Sequence, residues 1–316
     1  MKANSPIHQP VLLREMAQYL DLHNGQVVVD GTLGMGGAAS LIADQIAPQG
    51  VLIGIDRDRE SMVIAEENLK DKPVKKVFIH TDFQKMPAAL AEAGYPQVDR
   101  IFLDLGISSF QLDNAERGFS FDNDGNLDMR MDRSQGITAA DIVNHWEETE
   151  IANLIYQYGE ERLSRRIARK IVECRKEQTI ETTEQLRGII ELAVAGTGYR
   201  SRNRIHPATR SFQALRLRVN TELESLKVVL DEYLNLLKPG GRIGIISFHS
   251  LEDRLVKTAF KKDAGECVCG RELQLCTCTR QPRIRILTKK PLTPQEDEVH
   301  RNPRSRSGKF RVAEKL

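Results

Sequence analysis

The sequence predicts an α/β protein: a parallel sheet wound by helices and interrupted by a helical insertion. Three observations predict it. Short apolar runs alternate with helix-period segments over the first hundred residues. A glycine bend, Gly34-Met35-Gly36-Gly37, joins the first of those runs to a helix. The alternation stops after Gly106 and resumes only with RIGIISFHS, residues 242–250. Strands buried on both faces read as near-continuous apolar runs, and βαβ units alternate them with amphipathic helices.

Taken in order, VVVD (27–30) is the first strand, and SLIADQIA (40–47) is a helix. VLIGIDRD (51–58) is the second strand, followed by a helical SMVIAEENLK (61–70). VFIHTD (77–82) and RIFLDLG (100–106) complete four strands, joined by right-handed crossovers. The next segment, GISSFQLDNAERGFSFDNDGNLDMRMDRSQG, is rich in Asp, Asn, Gly and Ser and reads as loop. Ala139 to about Ala195 reads as helices with charged faces. A long helix should then run from about Thr209 to Leu237, stopped by Lys238-Pro239-Gly240-Gly241. The expected organisation is one α/β domain, 1–110 with 212–316, split by a helical insertion at 111–211.

At 316 residues the chain is long enough to bury a sizeable core, and 40% hydrophobic with 28% charged residues is ordinary for a globular protein. No apolar run reaches the ~18 residues of a membrane span, and the N-terminus lacks a signal-peptide core, so a cytoplasmic protein with no membrane partner is expected. The formal net charge of +2 conceals a bias. From Glu161 to Arg218 there are 14 Lys/Arg against 6 Asp/Glu, and from Thr279 to Leu316 there are 11 against 4. Two basic segments in a near-neutral chain point to a polyanion such as nucleic acid, against the blander reading of solvated helix faces.

Of five cysteines, Cys174 stands alone in a helical segment and reads as packing. Cys267, Cys269, Cys276 and Cys278 form two CxC pairs. Four thiolates so close can hold a structural zinc ion, although CxxC spacing is commoner, and no metal is assigned.

The glycine bend carries the chemistry. A P-loop needs Gly-Lys-Ser/Thr, and Gly36-Gly37-Ala38-Ala39-Ser40 has no lysine, which argues against ATP. The bend fits the dinucleotide pattern loosely. Asp56 ends the second strand, where a carboxylate accepts ribose hydroxyls, as suits NAD and S-adenosylmethionine alike. Asp30 separates them: a carboxylate near the bend repels a pyrophosphate but suits the ammonium of a methionine moiety. Asp82-Phe83 ends the third strand, where the ring can lie against an adenine. Asp104 ends the fourth, at the switch point where open α/β sheets bind ligands. His249, after the late strand, reads as a hydrogen-bonded loop residue before a proton acceptor.

DGTLGMGG, GIDRD, LDLGISSFQLD, ERGFSF, LDMRMD, YGEER, HPATRSFQALR, LKPGGR and ISFHSLEDR occur together and in order. On these motifs the chain resembles, over nearly its whole length, the bacterial small-subunit rRNA cytosine-N4 methyltransferases of the RsmH (MraW) type. The resemblance implies a class I S-adenosylmethionine-dependent methyltransferase (Rossmann-like) fold with an inserted helical substrate-recognition domain. It implies S-adenosyl-L-methionine as donor, and as acceptor the exocyclic amine of a cytidine in the decoding region of 16S rRNA, within the small ribosomal subunit. Donor contacts carry over onto Gly36, Gly37, Ala38, Asp56, Phe83, Asp104 and Gln111. The family commonly has His where this chain has Ala38, so only a main-chain contact carries over there. As the amine nitrogen becomes tetrahedral and positive its N–H needs a hydrogen-bond acceptor, and Asp104, or a carbonyl of the Leu105–Ser109 loop, can provide one. The rival readings are a non-catalytic rRNA-binding assembly factor and an NAD-dependent dehydrogenase, the latter disfavoured by Asp30. The oligomeric state is open, and a homodimer is one arrangement the sequence allows.

Overall fold

The computed structural model describes residues 10–198, 205–268 and 281–316. The chain divides into two compact units, Met1–Gly106 with Leu223–Leu316, and Ile107–Glu222.

The first unit holds a seven-stranded sheet. Its strands are β1 (Val27–Asp30), β2 (Val51–Asp56), β3 (Lys75–His80), β4 (Val98–Asp104), β5 (Leu237–Ser247), β6 (Ile284–Ile286) and β7 (Lys309–Lys315), in spatial order β3-β2-β1-β4-β5-β7-β6. Strands β1 to β5 are parallel, whereas β7 pairs antiparallel with both β5 and β6. This is a Rossmann-like α/β fold, with β7 running antiparallel between β5 and β6. Helices α1 (Leu13–Leu20), α2 (Gly37–Ile46), α3 (Arg59–Leu69) and α4 (Met86–Glu92) accompany the first four strands. Burial on both faces explains why the central strands carry unbroken apolar runs. Ile101, Phe102 and Leu103 of β4 are essentially inaccessible, each contributing roughly 1.5–3 kcal/mol by burial. α2 buries Ala38, Ala39, Ile42, Ala43 and Ile46, positions spaced to one face. α3 starts where the Asp58 side chain accepts the N–H groups of Glu60 and Ser61.

The second unit is helical: α5 (Ser109–Asp113), α6 (Ala139–His145), α7 (Glu148–Gly159), α8 (Ser164–Glu177), α9 (Thr183–Val194) and the helix Ala208–Val219. Its core is its own, and includes Ile151, Ile155, Ile167, Ile171, Leu186, Ile190, Phe212 and Leu215. Cys174 packs at its margin. The Asp- and Gly-rich segment between α5 and α6 is ordered by buried polar side chains. Arg117 donates to the carbonyls of Arg130 and Met131, while Asn220 accepts from Met131 N and donates to Met129 O.

Three features differ from the sequence reading. The expected helix from Thr209 to Leu237 is two helices, Ala208–Val219 and Glu222–Leu236. The break falls at Asn220-Thr221, where Thr221 has a left-handed φ of 48° and the Asn220 side chain serves the Met129–Met131 backbone instead. The unit boundaries accordingly fall at 107 and 222 rather than 111 and 211. Strands β6 and β7 were not anticipated, because RIRIL and KFRVAEK mix cations into short runs and blur the apolar signal. Among the described residues no helix is long and apolar enough to cross a membrane.

Candidate functional site

The site is built on the carboxyl ends of β1, β2 and β4. The last residue of each strand is an aspartate: Asp30, Asp56 and Asp104. Because β1 lies between β2 and β4, the strand order reverses here, and ligands of open α/β sheets bind at such reversals.

The glycine bend is tied to this edge through its backbone. Gly34 N–H donates to Asp56 Oδ2 at 2.7 Å, and Leu33 N–H to the Ile55 carbonyl at 3.0 Å. Gly34 and Gly36 have φ of 51° and 83°, which glycine adopts without strain. A Cβ on Gly36 would also press on Leu69 and Ala65 at 3.2–3.3 Å. α2 begins at Gly37, and the first N–H seen to bond back is that of Ser40, to Gly36 O at 2.9 Å. Main-chain N–H groups of a first helical turn lack intrahelical partners and attract negative charge. Ala38 is buried, so what it can offer a ligand is its backbone.

The three aspartates are electrostatically unusual. Asp30 is 1% exposed; its Oδ1 accepts Thr32 N–H at 3.2 Å, and among the described residues its Oδ2 has no hydrogen-bond partner. Burial, reinforced by Asp56, pushes its carboxyl up to about 7. Asp56 accepts Asp58 N–H on Oδ1 and Gly34 N–H on Oδ2, and burial still pushes it up to about 6. The main chain of Asp104 donates to Thr32 Oγ1 at 2.6 Å, while its buried Oδ1 has no hydrogen-bond partner among the described residues. Burial, then Asp30, then Glu252 push Asp104 up to about 8. Two buried, unpartnered carboxylate oxygens are what a cation would satisfy.

At the end of β3, Asp82 caps a turn by accepting Gln84 N–H and pairs with Arg57. The Arg57 guanidinium stands 5.8 Å from the centroid of the half-buried Phe83 ring, fixing it beside the Asp56 end of the sheet. Gln111 lies in the second unit, on α5. It is buried, and its side chain closes a capping box by accepting Ser108 N–H at 3.0 Å. His249 is the N-cap of the helix Ser250–Asp263, as a hydrogen-bonded loop residue should be.

The MraW methylase family matches residues 5–316. The chain belongs to that family. It is similar to "Ribosomal RNA small subunit methyltransferase H" of Citrifermentans bemidjiense, at 50% identity over 98% of both chains. To the protein of that name from Syntrophotalea carbinolica it is 48% identical, again over 98% of both. To that of Geobacter sulfurreducens it is 50% identical, over 98% of this chain and 99% of the other.

For this MraW-family chain, the residues singled out from sequence sort into two groups. Gly36, Gly37, Ala38, Asp56, Phe83 and Asp104 are all in the first unit, and Gln111 is in the second. Sequence reasoning missed Thr32 and Glu252. Thr32 ties the glycine bend to β4 through Asp104 N–H. Glu252 forms with His249 a capping box whose x-x-Glu spacing is visible in ISFHSLEDR, although its influence on Asp104 is not. Arg200, Arg202, Arg204, Cys269, Cys276 and Cys278 lie outside the described residues. Cys267 is exposed, and among the described residues no group of three or more metal-binding side chains gathers.

Proposed function

We propose that this chain transfers the methyl group of S-adenosyl-L-methionine to the exocyclic N4 amine of a cytidine in the decoding region of 16S rRNA, within the small ribosomal subunit. The observation that carries the reading is the carboxylate edge: two buried, unpartnered oxygens, on Asp30 and Asp104, beside a glycine bend without a phosphate-binding lysine. Carboxyl groups so placed, which ionise when a cation stands beside them, fit a donor bearing an ammonium and a sulfonium, and disfavour a pyrophosphate.

The donor supplies a methyl group already activated on a sulfonium. The protein's residues do the rest. Asp30 faces the ammonium, and the main chain at Gly36, Gly37 and Ala38 takes the donor carboxylate at the start of α2. Asp56 accepts the ribose hydroxyls on lone pairs left by Gly34 and Asp58, and the Phe83 ring lies against the adenine. The cytosine amine is a poor nucleophile because its lone pair is delocalised into the ring, so holding it in line supplies much of the rate. Asp104 accepts the proton that the nitrogen sheds. A base stacked within a helix cannot enter such a site, so the cytidine is turned out of its stack first.

Transfer of a tritiated methyl group to small subunits, and separately to naked 16S rRNA, followed by digestion to nucleosides, tests this reading. N4-methylcytidine is the expected product. Tight rRNA binding without any transfer would instead favour the assembly-factor reading.

The second unit supplies an RNA-facing surface in this reading. α8 keeps Arg165, Arg169 and Lys176 exposed, at spacings of four and seven that put them on one face, while Ile167, Ala168 and Ile171 are buried. Replacing these three cations with Gln should flatten the salt dependence of rRNA affinity, lowering the log–log slope by about 2 to 3. A filter-binding series at several salt concentrations checks it; an unchanged slope would place this face away from the RNA.

A further inference from the structure

Phe248 has no role in the reading above. It follows directly on β5, at the carboxyl edge of the sheet, and is half-buried there. It packs at the margin of a core that includes Phe102, Ile246 and Phe310. Its main chain is fixed by the capping box that opens the helix Ser250–Asp263. Phe248 N–H donates to Glu252 Oε2 at 2.9 Å, and His249 N–H to the same oxygen at 3.3 Å. The ring stands beside Gly106, where a Cβ would fall 3.6 Å from Phe248 Cδ2. No other group of the first unit comes within 4 Å of that point, the chain neighbours of Gly106 aside. The missing side chain leaves the space between the ring and the end of β4 open.

Strand order sets this ring on the far side of Asp104 from the donor. Along the carboxyl ends in the order β3-β2-β1-β4-β5, the chain presents Phe83, Asp56, Asp30, Asp104 and Phe248 in turn. Asp104 is in register with Ile246, and Leu105 N–H donates to the Ile246 carbonyl at 3.0 Å, so Phe248 leaves β5 alongside Gly106. Neighbouring strands lie about 4.8 Å apart. The end of β5 is therefore one strand from Asp104, whereas Phe83, after β3, is three strands away. Donor contacts take up the ends of β3, β2 and β1, which leaves the end of β5 for the acceptor. Among the described residues of the first unit, Phe83 and Phe248 are the aromatic rings of Phe, Tyr or Trp that stand just beyond a parallel strand and stay partly exposed. Packing alone asks for any apolar side chain at this margin. An extruded base has lost its stacking neighbours and asks for a flat π-face in their place.

We propose that Phe248 is the platform for the acceptor base: the cytosine, once turned out of its stack, lies against this ring with its N4 amine toward Asp104. The proposal rests on the methyl-transfer reading and adds to it the group that receives the base. Phe83 and Phe248 then divide the work, one holding the adenine of the donor and the other the pyrimidine of the acceptor, with three carboxyl groups between them. Stacking tolerates any base, so Phe248 supplies residence and orientation, and discrimination falls to groups facing the edge of the base. Exchanging the ring for aliphatic bulk acts on the extruded state alone. The RNA stays bound through its phosphates, and the base occupies the site less of the time.

Single-turnover methyl transfer to small ribosomal subunits, at saturating donor, tests the ring. Phe248→Leu keeps apolar bulk at the core margin and loses the π-face. It should lower transfer about tenfold, within the range for loss of one base–aromatic stack, while calorimetry finds the donor affinity unchanged. Phe248→Tyr keeps the ring and should transfer like the unaltered chain. Phe83→Leu should show the opposite split, a weakened donor with transfer recovered at saturating donor. A second measurement uses the unaltered chain. Small subunits carrying 5-iodocytidine in the decoding region are irradiated with S-adenosylhomocysteine bound, and the cross-link is mapped to its residue by mass spectrometry. The expected residue is Phe248. A cross-link elsewhere, or none, would overturn the proposal whether or not the variants fold. So would a folded Phe248→Leu with unchanged transfer, or equal losses in Phe248→Leu and Phe248→Tyr, which would mark a packing role. No methylation by the unaltered chain would overturn the methyl-transfer reading and this proposal with it.

Discussion

Asp104→Asn should lower methyl transfer by about 10²- to 10⁴-fold at saturating donor, the usual span for loss of a positioned base, and yet make the donor-free protein more stable at pH 8. Both halves follow from one environment. Burial, Asp30 and Glu252 hold the Asp104 carboxyl up near 8, whereas in the unfolded chain it ionises near the ordinary value of 3.8. The folded state therefore binds the proton more tightly. The stability this contributes is complete below about pH 4 and is lost as pH rises through about 8. Asparagine has the same shape and no charge to desolvate. At pH 8 it should stabilise the donor-free protein by on the order of 2 kcal/mol, a figure discounted because Asp104 keeps some contact with solvent. At pH 4 the two proteins should be equally stable. Thermal unfolding at the two pH values, with single-turnover transfer at pH 8, checks both halves. If donor affinity falls but turnover at saturating donor is preserved, Asp104 borders the donor and does not accept the proton.

Asp56→Ala should weaken S-adenosylmethionine binding by about 1.5–3 kcal/mol, roughly ten- to 150-fold, the range for hydrogen bonds to a charged group. The structure gives this change a second consequence. Asp56 accepts the N–H groups of Gly34 and Asp58, so its loss also unties the glycine bend from β2 and loosens the start of α3. The variant should lose affinity partly through disorder in the bend, seen as faster amide exchange at Gly34 to Gly36. Asp56→Asn retains one acceptor oxygen and should fall between the two. Isothermal titration decides it: an unchanged affinity in Asp56→Ala would remove Asp56 from the donor site.

Much of this architecture is legible in the sequence because its signals are local. VVVD, VLIGID and RIFLD are apolar runs that end in aspartate, and the structure ends β1, β2 and β4 at those aspartates. The glycine bend announces itself because only glycine takes the positive φ at 34 and 36 without strain. The failures share a cause. A helix through Asn220-Thr221 looks continuous by periodicity, but Asn220 is recruited by Met129 and Met131, some 90 residues away in sequence. β6 and β7 carry too many cations to read as strands, and β7 becomes one because β5 offers it an antiparallel partner and Asp253 pairs with Arg311.

What the sequence determined by itself was the family, the parallel α/β plan, the helical interruption and the identity of three strand-end carboxylates, all written in runs of a few residues. Tertiary structure decided what those carboxylates are. An aspartate at a strand end is an ordinary acid until its neighbours and its access to water are known. Asp104 becomes a group that holds its proton near neutrality because β1 brings Asp30 and the turn after β5 brings Glu252, 74 and 148 residues away in the chain, to a place with little water. Desolvation and charge act through space, and no spacing along the chain encodes them.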